Sequence, residues 1–361
     1  MKRILPAAFT FLIAALYIGI RLVQADLDPV GLLELGTRFS EGDPSGTEGY
    51  DGQFVFYAAM DLDPEQVADK LDDPPYRYQR ILLPLLARLI GGGVASRTAW
   101  AILLINLTAH TAGVYAVSEL LARHGWSRWY ALIYGLWIGI FIGVGLGLHE
   151  PLAYALVAFS ILMQDRGKPA TAIIAATLAI FAKEITVVFW LALLATAMFE
   201  RWPLRRFAVF AGTAAVYIGW QMWLAKMFGA SGFGVGGGGA TGFDWVPFNG
   251  LWRIGAYNPR ALLVYLAVFG PVIVVPAVWG LVASIGTLLE DVGRADAYML
   301  AANCAGIVFL PHSTFREPLG VLRFADGLVL SLLYFAIVRG HPRVMKYAVF
   351  WIAMLAILVN G

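Results

Sequence analysis

Residues 169–199 read PATAIIAATLAIFAKEITVVFWLALLATAMF, two apolar runs of 14 and 15 residues on either side of Lys183 and Glu184. How this stretch crosses a membrane decides the topology of everything after it. As one long helix it sets a charged pair at bilayer depth. It also puts either Arg166 with Lys168, or Arg201 with Arg205 and Arg206, on the outer side. As a hairpin it keeps both basic clusters in the cytoplasm, as the positive-inside rule asks. We therefore read a hairpin. Its arms reach only about 21–22 Å at about 1.5 Å per residue, less than a roughly 30 Å hydrocarbon core, so the outer turn is sunken.

The rest of the chain follows the same arithmetic. Of 361 residues, 60% are hydrophobic and 14% charged, and the mean hydropathy is +0.72, which excludes a soluble globular domain. Further apolar runs fall at 98–121, 129–148, 151–164, 207–225, 261–289, 297–311, 324–338 and 347–359. With the first run, 4–20, the chain reads as all-α, a polytopic membrane protein of about 11 transmembrane helices.

Alternate connections then lie in the cytoplasm, and each is short and basic: Lys2 and Arg3; Arg123 and Arg128; Arg166 and Lys168; Arg201, Arg205 and Arg206; Arg294; Arg339, Arg343 and Lys346. The N-terminus resembles a signal peptide, with Val23-Gln24-Ala25 as a passable cleavage site. Its apolar run is longer than a signal's, so 1–24 is read as a retained first helix. Basic residues are scattered singly and the formal charge is +2, so no nucleic-acid partner is expected. The single Cys304 makes neither a disulfide framework nor a metal cluster.

The run 151–164, which follows His149-Glu150-Pro151, is also short. Three short helices thus bring His149, Glu150, Lys183 and Glu184 to a sunken hollow facing outward. Ionisable groups at that depth cost about 2.5–3.5 kcal/mol each unless they meet water or one another. Two readings stand: a polar substrate cavity, or local neutralisation of Lys183 by Glu184 while Glu150 caps a helix start beside Pro151.

Residues 25–97 form a different kind of segment, an extracytoplasmic lobe. Thirteen of the 24 carboxylates lie between Asp26 and Asp73, against only Arg38 and Lys70. Phe54–Met60 and Pro64–Leu71 are expected as short helices lying on the membrane. The run from Ile81 to Ser96, with Pro84, Arg88 and Gly91-Gly92-Gly93, is expected as an interfacial or re-entrant helix, not a further span. Residues 98–361 are the helix bundle, with an outer loop at 228–259.

Two clusters in the lobe carry chemistry: Gly49-Tyr50-Asp51-Gly52-Gln53-Phe54 and Pro75-Tyr76-Arg77-Tyr78-Gln79-Arg80. A carboxylate between glycines on a turn can approach a bulky substrate and take a proton from an attacking hydroxyl, which suits Asp51 as general base. Arg77 and Arg80 sit where the lobe re-enters the membrane, and guanidinium forks bind phosphate oxygens. Tyr50, Gln53 and Tyr76 flank them as candidate substrate contacts. Two blander readings stand beside these: Asp51 as a turn residue bonding its own backbone, and the arginines as anchors on anionic lipid.

One apolar helix, then a large outer loop with an acidic Tyr-Asp-Gly-Gln motif, then an Arg-rich motif leading into a Pro-containing helix, resembles the GT-C superfamily of membrane glycosyltransferases. Glu150-Pro151-Leu152 and Lys183-Glu184 also resemble motifs of such proteins. The resemblance implies an inverting, single-displacement sugar transfer from a polyprenyl-phosphate-linked donor. Its acceptor would be a glycan, lipid or protein at the outer face of a bacterial cytoplasmic membrane. Asp51 would be the base, and Arg77 and Arg80 would hold the donor phosphate, with Lys183 beside them. The acidic lobe and the arginines are expected to be separated, acceptor end from donor end. Asp51 has no adjacent acid, so a divalent metal stays an open possibility.

The connection Pro311-His312-Ser313-Thr314-Phe315-Arg316-Glu317-Pro318 is outward, and His312, Arg316 and Arg323 are candidate additions to the phosphate site. Asp326 is expected to pair with Arg323. Eight of the fourteen residues from Gly229 to Gly242 are glycine, read as an outer loop near Phe243, Trp245 and Trp252, which either stack on sugars or form an interfacial belt. Asn106 and His110 are expected to hydrogen-bond between helices. The alternative function is a transporter or flippase of lipid-linked glycans, favoured by the same polar hollow but not by any clear repeat. A non-catalytic assembly partner fits the buried charges poorly.

Overall fold

The computed structural model describes residues 3–233, 236–237 and 241–359; Lys2 lies outside them, as does part of the glycine-rich loop. The described residues are helical, with no strand among them. Five helices are long and apolar enough to cross a membrane: α1 (Leu5–Gln24), α2 (Ala95–Arg123), α3 (Leu204–Phe228), α4 (Pro259–Glu290) and α5 (Pro318–Arg339). Arg128–Gly135 and Ile138–Gly145, bent by 63° at their break, bring the number to six when counted as one span. Shorter apolar helices pack among them, including Leu82–Gly91, Pro169–Ala182, Glu184–Phe199 and Ala295–Val308. Leu12 and Leu16 on α1, Ile218 and Met222 on α3, and Val282 on α4 are more than half exposed, an apolar exterior that suits a bilayer.

The run 129–148 is not the single uninterrupted helix its hydropathy suggests. Trp137 is extended (φ −70°, ψ 122°), and its indole N–H donates to Asp326 Oδ1 at 2.8 Å. The following turn approaches α5 so closely that a Cβ at Gly139 would lie 2.4 Å from the Leu322 carbonyl oxygen. In α4, the segment Gly270–Val274 is a π-helical turn, and the last run ends as a 3-10 helix, Val349–Val359.

The stretch 169–199 is a hairpin. Pro169–Ala182 runs antiparallel to Glu150–Asp165, with Ser160 Oγ donating to Ala172 O at 2.7 Å, and ends beside Glu150 at Lys183. Lys183 is extended (φ −157°, ψ 116°), which stops the helix. The return helix carries Phe199 to the opposite end, where it stacks on Tyr298 at 6.2 Å. That opposite end also collects His124 against Asp165 (2.7 Å), Trp126 Nε1 donating to Ile337 O (3.1 Å) and Arg339 against Asp296 (2.9 Å). Glu150 and Asp165 bound a helix about 24 Å long at about 1.5 Å per residue. The basic connections therefore gather at one end of the bundle, and Glu150, Lys183 and Glu184 at the other.

In the lobe, the helix Gly52–Met60 is packed inside and not laid on a surface: every residue from Gly52 to Ala59 is buried. Its run Phe54-Val55-Phe56-Tyr57-Ala58-Ala59 is apolar on all faces, and such a helix belongs in a core. It packs against α2 and Leu82–Gly91, and Arg88 donates to the Met60 carbonyl. Pro64–Leu71 is two short turns, Pro64–Val67 and Ala68–Lys70, started by Asp63 accepting from Glu65 N at 3.1 Å.

Candidate functional site

Asp51 precedes the first turn of Gly52–Met60, and its side chain makes no capping bond to that helix. The self-bonded turn reading is thereby excluded. What fixes the residue is Gly52: a Cβ there would lie 2.0 Å from the Leu146 carbonyl oxygen, so only glycine lets the loop dock on the bundle. The glycine beside the acid serves protein packing, where substrate approach was expected. Gln53 fastens the same loop, accepting from Gly36 N at 3.1 Å and donating to Glu48 O at 2.6 Å, and takes no part in the cavity.

With its backbone held, the Asp51 carboxylate faces two guanidinium groups, Arg77 at 3.0 Å and Arg323 at 2.8 Å. Acid and arginines share one place, so the expected separation of acceptor and donor ends does not occur. The acidic lobe folds back on itself, and Arg77 is gripped by Asp72 through two bonds of 2.6 and 2.7 Å while lying 4.1 Å over the Phe54 ring. Arg80 takes Glu184 through bonds of 2.5 and 2.6 Å and covers the Tyr76 ring at 4.2 Å. Arg323 reaches Glu150 Oε1 at 2.7 Å, and Lys183 bonds the same oxygen. Lys183 and Glu184 thus do not neutralise each other; each meets a partner from another element.

These groups wall a cavity of about 600 Å³ at the end of the bundle away from the basic connections. Asp51, Tyr76, Arg77, Arg80, Lys183, Glu184, Arg316 and Arg323 all line it, and Ile185, Phe243, Ser313, Thr314, Glu317 and Phe324 are among the rest of the wall. The Asp51 side chain is 27% exposed, toward this space. Arg316 is exposed and, among the described residues, forms no ion pair. Among the described residues it is the one cavity guanidinium without a carboxylate.

Burial pushes the Asp51 carboxyl up, but Arg77, Arg323 and Arg80 outweigh burial and hold it well below the usual carboxylate range. Tyr50 stands behind the wall, accepting from Arg323 at 3.1 Å and donating to Glu317 at 3.3 Å. Burial pushes its hydroxyl up to about 12, against the pull of Arg323.

Other expectations fare differently. Glu150 is fully buried and acts through Lys183 and Arg323, out of contact with the cavity; His149 is buried behind it with Nδ1 unpartnered. His312 turns away, its Nδ1 3.0 Å from Gly250 O. Trp245 and Trp252 do not line the cavity, whereas Phe243 does, edge-on to Phe324 at 6.0 Å. Asp326 pairs with Trp137 and not Arg323, because Asp51 and Glu150 already occupy that guanidinium. His110 makes the inter-helix bond expected of it, with Gly135 O at 2.9 Å, while Asn106 donates chiefly to the connection before Glu150, to Leu148 O at 2.7 Å, and more distantly to Gly143 O of the preceding helix at 3.4 Å.

The partner of Arg77, Asp72, escaped the sequence reading because a spacing of five marks no helix face. A divalent metal finds no matching donor set: among the described residues no three of His, Cys, Asp and Glu converge, and both Asp51 oxygens face arginines. No protein family, curated protein or solved structure matches the chain in comparisons with known proteins.

Proposed function

We propose that this chain is a membrane glycosyltransferase of the GT-C type, using a polyprenyl-phosphate-linked sugar at the outer face of a bacterial cytoplasmic membrane. One observation carries the reading: an acid on a fixed loop, Asp51, shares a cavity with guanidinium groups able to receive a phosphate, Arg77 at 3.0 Å and Arg323 at 2.8 Å. The cavity's position opposite the basic connections supports an outward facing under the positive-inside rule. In this reading Glu150–Asp165, Pro169–Ala182, Glu184–Phe199, Ala295–Val308 and the last segment, 342–359, count as further spans beside the six, which makes eleven.

In this reading the acceptor hydroxyl oxygen attacks the sugar anomeric carbon and the bond to the phosphate oxygen breaks with inversion. The hydroxyl proton passes to Asp51, and the polyprenyl phosphate leaves as a monoester with added negative charge. Arg316, free of any carboxylate, and the Arg77–Arg323 pair stand where that charge develops. The ion pairs also set an order of events. A carboxylate shared by two arginines is a poor base, and an arriving donor phosphate competes for both guanidinium groups. Donor binding therefore restores the basicity of Asp51. Reconstituted chain offered polyprenyl-phosphate hexoses and pentoses tests the function; it predicts release of polyprenyl phosphate with sugar transfer, and movement of intact lipid-linked sugar across the bilayer without transfer is the opposing outcome.

A further inference from the structure

Among the described residues, five cationic and three anionic side chains line the Asp51 cavity, and most of them are matched. Arg77 is shared by Asp72 and Asp51, and Arg323 by Asp51 and Glu150. Lys183 meets Glu150, and Arg80 meets Glu184. Asp72 and Glu150 stand behind the wall and make the two signs equal in number. Two lining groups are left over, Arg316 and Glu317, and among the described residues neither forms an ion pair.

The two are consecutive in the chain, yet they do not neutralise each other. The short helix His312–Arg316 ends between them, and Glu317 is extended (φ −100°, ψ 105°). Its carboxylate turns back over the start of α5, where a Cβ at Gly320 would come 3.0 Å from Oε2. There the Tyr50 hydroxyl donates to Oε1 at 3.3 Å. A long bond from one neutral hydroxyl leaves most of the carboxylate's acceptor capacity open to the cavity. The same hydroxyl accepts from Arg323 at 3.1 Å, so Glu317 lies two hydrogen bonds from the guanidinium that holds Asp51.

An uncompensated carboxylate is out of place in a cavity that receives a phosphate. It repels the donor, and a neutral sugar brings nothing to offset that repulsion. The balance reverses when the donor carries a positive charge beside its phosphate, because a charge-assisted hydrogen bond then replaces the repulsion. One free guanidinium and one free carboxylate complement a ligand with one charge of each sign.

We propose that the donor is zwitterionic: a polyprenyl-phosphate-linked amino sugar with a free primary amine, its ammonium on Glu317 and its phosphate on Arg316 and the Arg77–Arg323 pair. Glu317 is then a specificity residue, which rejects neutral and N-acylated sugars by leaving its own charge unmatched. The inference rests on the glycosyltransferase reading and names the substrate class of that same cavity.

The test reads binding and transfer separately on the full chain in proteoliposomes. The probes are a polyprenyl-phosphate hexose, the matched aminohexoses with an amine in place of each sugar hydroxyl in turn, and their N-acetyl derivatives. Displacement of a labelled polyprenyl phosphate gives each affinity without any reaction. At least one aminohexose donor should bind about fivefold tighter than both its parent hexose and its N-acetyl derivative. Glu317→Gln should bring these three to within about twofold, and should bind the neutral hexose donor better than the wild-type chain does. Glu317→Asp, which keeps the charge on a shorter arm, should retain part of the preference. Equal wild-type affinity for amino and parent sugars at every position, or an undiminished preference in Glu317→Gln, overturns the proposal, and transfer of the neutral sugar would still uphold the transferase reading. Preference in binding with no transfer of any sugar would contradict the transferase reading and uphold the selectivity of Glu317.

Discussion

Arg323, near the start of α5, holds Asp51 of the first loop at 2.8 Å through Nη2 and Glu150 at 2.7 Å through Nε. A loop acid and a buried helix-start acid are thereby joined through one cation. Changes at either acid should therefore be felt at the other.

The first consequence is for donor affinity. Asp51→Asn removes the carboxylate that competes with a donor phosphate for Arg77 and Arg323. Polyprenyl phosphate should bind the variant as tightly as the wild-type chain or tighter, by up to about tenfold. Fluorescence titration with a labelled polyprenyl phosphate reads this directly, and weaker binding would argue that Asp51 organises the site without competing there.

Glu150→Gln leaves Lys183 and Arg323 without their shared carboxylate in a buried place, a loss expected to cost about 3–5 kcal/mol. Thermal unfolding in detergent should show a large fall in Tm. Adding Lys183→Met should recover part of it, because the buried cation that has lost its carboxylate is removed, whereas Arg323 keeps Asp51. A double variant no more stable than the single one speaks against a shared carboxylate.

Arg316 offers the opposite pattern, since among the described residues it forms no ion pair. Arg316→Gln should leave stability within about 0.5 kcal/mol and raise the donor KM about tenfold. Arg80→Gln, which strands Glu184, should lower both stability and donor use. Equal behaviour of the two variants would remove the distinction drawn here.

The carboxyl of Asp51 lies lower in the folded chain than its value of about 3.9 unfolded, because three arginines outweigh its burial. Below that value the unfolded chain binds a proton the folded chain refuses, so stability rises with pH through this window. The Tm difference between wild type and Asp51→Asn should stay constant from about pH 8 to about pH 5 and shrink only below about pH 4. Narrowing near neutrality would mean that the arginines do not hold the acid.

Gly52→Ala places a methyl group 2.0 Å from the Leu146 carbonyl oxygen, so the loop must lift from the bundle. Stability should fall by about 1–3 kcal/mol, with transfer lost beyond what the remaining folded fraction explains. Wild-type transfer by this variant would show that the site tolerates a displaced Asp51.

Helix content and the hairpin were legible because length and charge parity are local properties: Arg166, Lys168 and Arg201 are enough to turn 169–199 back on itself. The contiguous motifs around Asp51 and Arg77 were legible for the same reason. Pairing across the fold was not. Arg323 has Asp326 three residues on, and only the approach of Asp51 and Glu150 from other elements decides against that neighbour. Likewise the break at Trp137 follows from how closely α5 packs on Gly139, which no hydropathy window reports.

The most direct test compares initial rates of sugar transfer by wild type and Asp51→Asn in the same proteoliposomes, with saturating polyprenyl-phosphate-sugar donor. The account predicts transfer with inversion by the wild-type chain and a rate at least about 100-fold lower in the variant, with donor still bound. Equal rates in the two proteins would contradict it.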